Sequence, residues 1–375
     1  MKTAFYLIAG LHGVIHLFGF LKAFGIVAFD AISHPISRFS GVIWLMAFLL
    51  FAATVYLRLS TNPYWWLVGI VAAAISQVLV ISVWSDARFA TIPNLLVLLV
   101  CGLAFLNSRY TDSIANEREV MLAKAEVPSK LTPVNELPPL VQKWLSRSGV
   151  NNSTAVSSLY LRQKLRMKMK PAQKGWTIAE ADQFFTLNPP AFNWAVDMKM
   201  NGLLPIKGRD RFEQGKGEMQ IKLASALPVV NEQNNPKIDE GSLQRYLAEI
   251  AWFPSAARMK YIEWETLDDN RAKATLSYGG SSGSGIFEFD EEGRFVSFTA
   301  MRFKGGESDA ERVPWRVVAE EYAEMQGFYI PVRLRASWEL KDSTWTWLKM
   351  EVTEVIYNPN SKKNLFTNLQ EHDAK

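Results

Sequence analysis

Four apolar stretches constrain this chain more than any other feature. Thr3 to Leu21, Gly41 to Leu57, Tyr64 to Trp84 and Phe89 to Ser108 contain no Asp, Glu, Lys or Arg. About 20 apolar residues in a helix cross the ~30 Å hydrocarbon core of a bilayer, and a helix satisfies its own backbone polar groups there. Residues 1–110 are therefore predicted to form a four-helix transmembrane bundle, integral to the membrane. Trp65, Trp66 and Trp84 stand where interfacial aromatics anchor such helices. Pro63 and Pro93 fall near helix starts, where a missing N–H costs little. The first stretch carries His12 and His16 and is followed by three more, which argues against a cleaved signal peptide. Flanking charge does not fix orientation: Lys2, Arg58 and Arg109 fall on one side, Lys22, Arg38 and Arg88 on the other.

The net charge of +4 belongs to this region, where six basic side chains face only Asp30 and Asp86; 35 of each sign remain elsewhere. With no basic run and no net-positive domain, a nucleic-acid partner is not expected. Cys101 is the only cysteine, so neither an internal disulfide nor a cysteine metal cluster can form.

Polar residues at membrane depth are candidates for function. His12 and His16, spaced i, i+4, project from one helix face, a spacing that suits two metal or haem ligands or a proton path. The further ligands considered from the other spans are Ser76, Gln77 and the interfacial Asp86, so hydrogen bonding between helices is the expected role, with no metal and no cofactor. In the turn Trp84–Arg88, Asp86 and Arg88 are placed to pair with each other, or to line a polar pocket with His34.

Residues 111–135 read as a linker: a charged, helix-compatible stretch from Ile114 to Glu126, then Pro128 and Pro133, with Pro138 and Pro139 beyond. A second domain is expected over 136–358, with a polar tail over 359–375. Leu140 to Arg147 reads as a short amphipathic helix. Beyond Ala155 the hydrophobic period is two, as in Leu165, Met167 and Met169 alternating with lysines and arginines. About a dozen such runs on short turns predict an antiparallel meander curled into a sheet or half-barrel. One segment breaks the period: Asp239 to Ile250, with Asp239 as N-cap, is expected to be a lid helix over the concave face. That face is then either packed core or a ligand cavity. Gly279 to Gly285 is expected to be a flexible hairpin tip.

Outside the tail's His372, this domain has no histidine and no cysteine, which leaves no imidazole-based triad. No GxGxxG, P-loop or GxSxG element occurs. Carboxylates such as Glu180, Asp182, Asp197, Glu249, Glu263 and Glu265 remain, and on alternating strands these usually form a solvated face. Catalysis is therefore not the expected activity.

The run Arg245-Tyr246-Leu247-Ala248-Glu249 before Trp252-Phe253-Pro254, with Gly208-Arg209-Asp210-Arg211 and Leu227-Pro228-Val229-Val230 upstream, resembles an uncharacterised bacterial family of β-rich domains of unknown function. Some members carry a four-helix unit with a Trp-Ser-Asp-Ala-Arg turn, as at Trp84–Arg88. At fold level the β domain is similar to periplasmic lipoprotein-carrier half-barrels with a helical lid. The resemblance implies a multi-pass protein of a bacterial inner membrane with an extracytoplasmic β domain. The expected partner is a membrane lipid or hydrophobic small molecule, bound at Arg245, Tyr246, Glu249, Trp252, Phe253, Trp194 and Arg209. The alternatives are a membrane redox or metal enzyme built on His12 and His16, and a non-catalytic envelope scaffold whose protein partner is unknown.

Overall fold

The computed structural model describes residues 2–28, 31–200 and 204–359. The turn at Asn201-Gly202 and the expected tail with His372, Pro359 apart, lie outside the described residues. The described residues divide into two compact units, up to residue 112 and from 113 to 359.

In the first unit, α1 (Lys2–Ala23), α2 (Arg38–Leu59) and α3 (Trp65–Ser82) are followed by the short α4 (Trp84–Ala87) and by α5 (Thr91–Lys124). Four helical stretches are long and apolar enough to cross a membrane: Thr3–Ala23, Arg38–Leu59, Trp65–Ser82 and Trp84–Lys124. Small residues let them pack closely. A Cβ on Gly19 would lie 2.2 Å from the Trp44 ring, and one on Gly69 would lie 2.5 Å from Cys101 Sγ.

The segment expected as a linker is more structured than a spacer. Residues 113–124 are the last turns of α5 and belong to the second unit. Arg118 and Met121 are buried there, and Met121 and Leu122 pack against Tyr160, Phe184 and Ala191. Leu131 then pairs with Met259 as an isolated bridge, and Pro139 opens α6 (Pro139–Arg147).

Thirteen strands form one antiparallel sheet. The first arm is β1 (Ser158–Met167), β2 (Thr177–Leu187), β3 (Pro190–Met200), β4 (Leu204–Glu213), β5 (Lys216–Leu223) and β6 (Leu227–Glu232). After α7 (Pro236–Glu249) come β7 (Ile262–Thr266), β8 (Arg271–Tyr278), β9 (Ser281–Phe289) and β10 (Phe295–Phe303). The second arm ends with β11 (Arg312–Met325), β12 (Phe328–Leu340) and β13 (Ser343–Tyr357). The order runs from β6 back to β1, then β13 and on to β7. The chain thus walks outward from the centre to one edge, crosses to the opposite edge and walks back. The crossing is α7, which packs against β4 and β5 on one side and β8, β9 and β10 on the other. A sheet this wide curls, and the helix spans its concavity.

Two local expectations change. The N-cap of α7 is Asn235, whose side chain accepts from Lys237 N, because Pro236 takes the first helical position. Asp239 instead accepts from Gly217 N at 2.8 Å and pairs with Lys216 at 2.9 Å, which ties the helix to β5. The glycine-serine run is a strand, with only Gly279 and Gly280 forming the turn; both have positive φ. Gly283 and Gly285 are there because neighbours press on them. A Cβ on Gly283 would lie 3.0 Å from Leu243 Cβ of α7, and one on Gly285 would lie 2.1 Å from the Phe298 ring. Gly285→Ala should therefore cost about 1–3 kcal/mol through overpacking. Gly175→Ala, where nothing lies within 4 Å, should leave the thermal unfolding midpoint of the detergent-solubilised protein almost unchanged.

Candidate functional site

Strand register decides which side chains share the concave face. Nearest the helix, one row holds Met219, Asp210, Trp194 and Gln183. The next holds Ile221, Gly208, Val196, Ala181 and Gln163. The third holds Ile206, Met198, Ala179, Leu165 and Met350. Across the second arm run Leu348, Ala336, Val317 and Phe298, then Trp345, Trp338, Trp315 and Ala300. Among these rows the polar residues are Asp210 and Gln183 in the row under α7 and Gln163 in the next.

That polar row is where the helix docks. The Arg245 guanidinium donates to Glu249 at 2.8 Å and to Asp210, and it lies 4.9 Å over the rings of both Phe192 and Trp194. Gln183 donates to the second Glu249 oxygen at 2.8 Å, and Trp194 Nε1 donates to Gln163 at 3.0 Å. Burial pushes the Glu249 carboxyl above its ordinary range despite the adjacent guanidinium, while the two carboxylates hold Arg245 firmly protonated against its own burial.

On one side of this cluster the concavity is filled. Tyr246, Trp252 and Phe253 are fully buried with Phe185 and Phe212. Tyr246 donates to Thr186 O at 2.9 Å, and Trp252 Nε1 donates to Pro331 O at 3.1 Å. On the other side the apolar rows are only half-buried at Ile206, Met219, Ile221, Met350, Trp338 and Trp347. The result is an apolar trough. A separate shallow cleft of about 400 Å³, lined by Pro128, Lys130, Asn188, Lys260 and Tyr261 among others, contains none of the predicted binding residues.

The predicted binding residues thus separate into three places. Arg245, Glu249 and Trp194 meet at the edge of the trough; Tyr246, Trp252 and Phe253 lie in the packed core. Arg209 alternates to the convex face, where it pairs with Glu117 and with Glu218 at 2.6 Å. There Arg118 donates to Asn193 at 3.2 Å and to Asp182 O at 3.0 Å, and Tyr160 donates to Asp182 at 2.8 Å. The trough's half-buried wall includes Trp338 and Trp347, aromatics whose sequence positions fit either core or cavity lining and which are not among the predicted binding residues. The six candidate carboxylates do not gather: Asp197 pairs with Lys207 at 3.0 Å, and Glu249 is the one that shares a cation with a second carboxylate of the concave face.

In the first unit, His12 and His16 do come together. Both Nε2 atoms meet the Ser76 hydroxyl, at 3.0 and 2.9 Å, and His12 also meets Asn94 at 2.8 Å. Asn94 donates to Gln77, which donates to Thr91. This chain ties α1, α3 and α5 together. Among the described residues, no group of three or more His, Cys, Asp or Glu could hold a metal ion. Asp86 does not pair with Arg88. It accepts from Ser33 N at 2.7 Å and meets His34 Nδ1 at 3.0 Å, while Arg88 lies over Phe89. Two turns thereby share Asp86, a closer partner than a side chain two residues along its own short helix.

Residues 135–357 match a family of unknown function (DUF6920). The chain belongs to that family. The DUF6920 region takes in α6, the whole sheet, α7 and therefore the trough. No curated protein matches the sequence. Among solved structures, the chain is similar to a LolA superfamily protein from Nitrosomonas europaea, at 10% identity over 60% of this chain and 95% of that one, with a TM-score of 0.36. It is also similar to a β-barrel-like protein of a domain of unknown function (DUF1849) from Brucella abortus, at 8% identity over 54% and 99%, with a TM-score of 0.22.

Removing Arg245 leaves Asp210 and Glu249 facing each other without their cation. Arg245→Met should cost about 3–5 kcal/mol, the usual penalty for stranding a buried charge. Glu249 would then hold a proton that the unfolded chain has already released. Stability of the variant should therefore fall as pH rises from the ordinary carboxylate range toward neutrality. Urea unfolding at pH 5 and pH 8 reads this out: the deficit relative to wild type should be larger at pH 8.

Proposed function

We propose that the DUF6920 region is a membrane-tethered module that binds a lipid or another hydrophobic ligand in the trough of its curved sheet. The supporting observation is the half-buried apolar surface of Ile206, Met219, Ile221, Met350, Trp338 and Trp347 on a face otherwise closed by α7. At ~25 cal/mol per Å², leaving such surface wet forfeits stability that a bound acyl chain would restore. Methionine and tryptophan suit the role, because both adapt to a flexible apolar partner. The expected setting is a multi-pass protein of a bacterial inner membrane, with the β region outside the cytoplasm.

Two further observations bear on the alternatives. In the membrane unit, His12 and His16 spend their Nε2 atoms on Ser76 and Asn94, which suits a helix-sorting role better than a ligand set. In the sheet, the carboxylates are dispersed and ion-paired, which suits a binding module better than a hydrolase.

Native mass spectrometry of the detergent-extracted protein should detect co-purifying lipid in the wild type. Met350→Glu puts a charge on the trough floor and should reduce that occupancy about tenfold, since a buried carboxylate is costly beside an acyl chain. Lys164→Glu, exposed on the opposite face of β1, should leave it unchanged. Equal occupancy in all three, or none in the wild type, would remove the proposal.

A further inference from the structure

Arg302 is an inward-facing cation of the trough whose side chain makes no hydrogen bond or ion pair among the described residues. It follows Phe298 and Ala300 at period two on β10, so its side chain enters the concavity, where the guanidinium lies 4.7 Å over the Trp315 ring. Room for it exists because α7 has a glycine opposite: a Cβ on Gly241 would stand 3.0 Å from Arg302 Nε. Asp210 and Glu249 lie near enough to act on this position, Asp239 and Glu240 precede Gly241 on α7, and each of the four is held by another group. Asp239 is bound by Lys216 and Gly217 N, Glu240 by Arg312 at 2.6 Å, and Asp210 and Glu249 by Arg245. The neighbouring aromatics offer no acceptor either. Among the described residues Trp315 Nε1 and Trp345 Nε1 are buried donors without partners, and Lys304, two residues beyond Arg302, lies over Trp345 as a second cation.

A guanidinium placed in apolar surroundings without an acceptor is expensive. Here burial above all brings its pKa down to about 10; Asp210 pulls upward, Arg245 adds to the depression and Glu249 also pulls upward. Five N–H donors in a planar fork match a carboxylate or a phosphate oxygen pair.

We infer that the trough takes an anionic amphiphile, its acyl chain against Met219, Ile221, Met350 and Trp338 and its carboxylate or phosphate head group on Arg302. This assignment rests on the trough being a hydrophobic-ligand site and adds the sign of the ligand's charge.

The test uses the full chain in non-ionic detergent, with a fluorescent 18-carbon fatty acid and its methyl ester as probes. The acid should bind about tenfold more tightly than the ester, the gain of one charge-assisted pair. Arg302→Gln should abolish that preference without weakening the ester, and Arg302→Lys should keep part of it. Equal affinity of wild type for the two probes, or a preference that survives Arg302→Gln, overturns the assignment while leaving the hydrophobic site standing. Failure of both probes to bind removes the site itself. Inorganic phosphate separates the sources of the anion: displacement of the acid probe by millimolar phosphate contradicts an amphiphile. If Arg302→Gln does not fold, the wild-type preference and Arg302→Lys still decide.

Discussion

The architecture of the second unit depends on how one helix is fastened across an open sheet. The edges β6 and β7 are not paired with each other, so a single connection must bridge the concavity and stay down. Arg245 is the fastening: it reaches from the helix to Asp210 on β4 while Glu249, one turn later, holds its other side and is itself held by Gln183 of β2. Phe192 and Trp194 sandwich the cation and keep water from loosening it. An apolar contact of the same size would seat the helix as firmly, but not at one register. The ion pair fixes where α7 stops, and therefore where the packed half of the concave face ends and the trough begins.

Much of this was legible in the residues, and what was not has physical reasons. The four long apolar helices followed from length and lack of charge, and the sheet from alternation at period two. The helix ran longer than expected because Pro236 and Asn235 supply its start, while Asp239 was diverted to β5. Leu227–Glu232 did not read as a strand, since Pro228 interrupts it and its residues are largely exposed; an edge strand tolerates both. The glycine-serine run looked like a loop because glycine's usual meaning is freedom, whereas Gly283 and Gly285 are needed for the close approach of Leu243 and Phe298. The i, i+4 spacing of Arg245 and Glu249 announces their pair on the helix, but which cation meets each carboxylate of the strands could not be read. Arg209 and Asp210 are adjacent in sequence and lie on opposite faces of the sheet.

Arg302 was missed for a different reason. Its strand alternates normally, and an arginine on a strand is usually solvated. Only the closed environment of α7, in which every nearby carboxylate is already engaged, makes it unusual. The same logic separates the two polar centres of the molecule. Around His12 and His16 most polar atoms find partners on neighbouring helices, the expected state of polar groups between membrane helices. In the trough, donors outnumber acceptors beside a half-wetted apolar wall, an imbalance that a bound molecule would correct.

The account rests on the trough being the place where that molecule sits. A fatty acid carrying a photoreactive diazirine on its chain, cross-linked to the full-length protein and mapped by peptide mass spectrometry, tests this most directly. Adducts should concentrate on Met219, Ile221, Trp338 and Met350. Labelling confined to residues 1–112, or spread evenly over the exposed strands of the convex face, would contradict it.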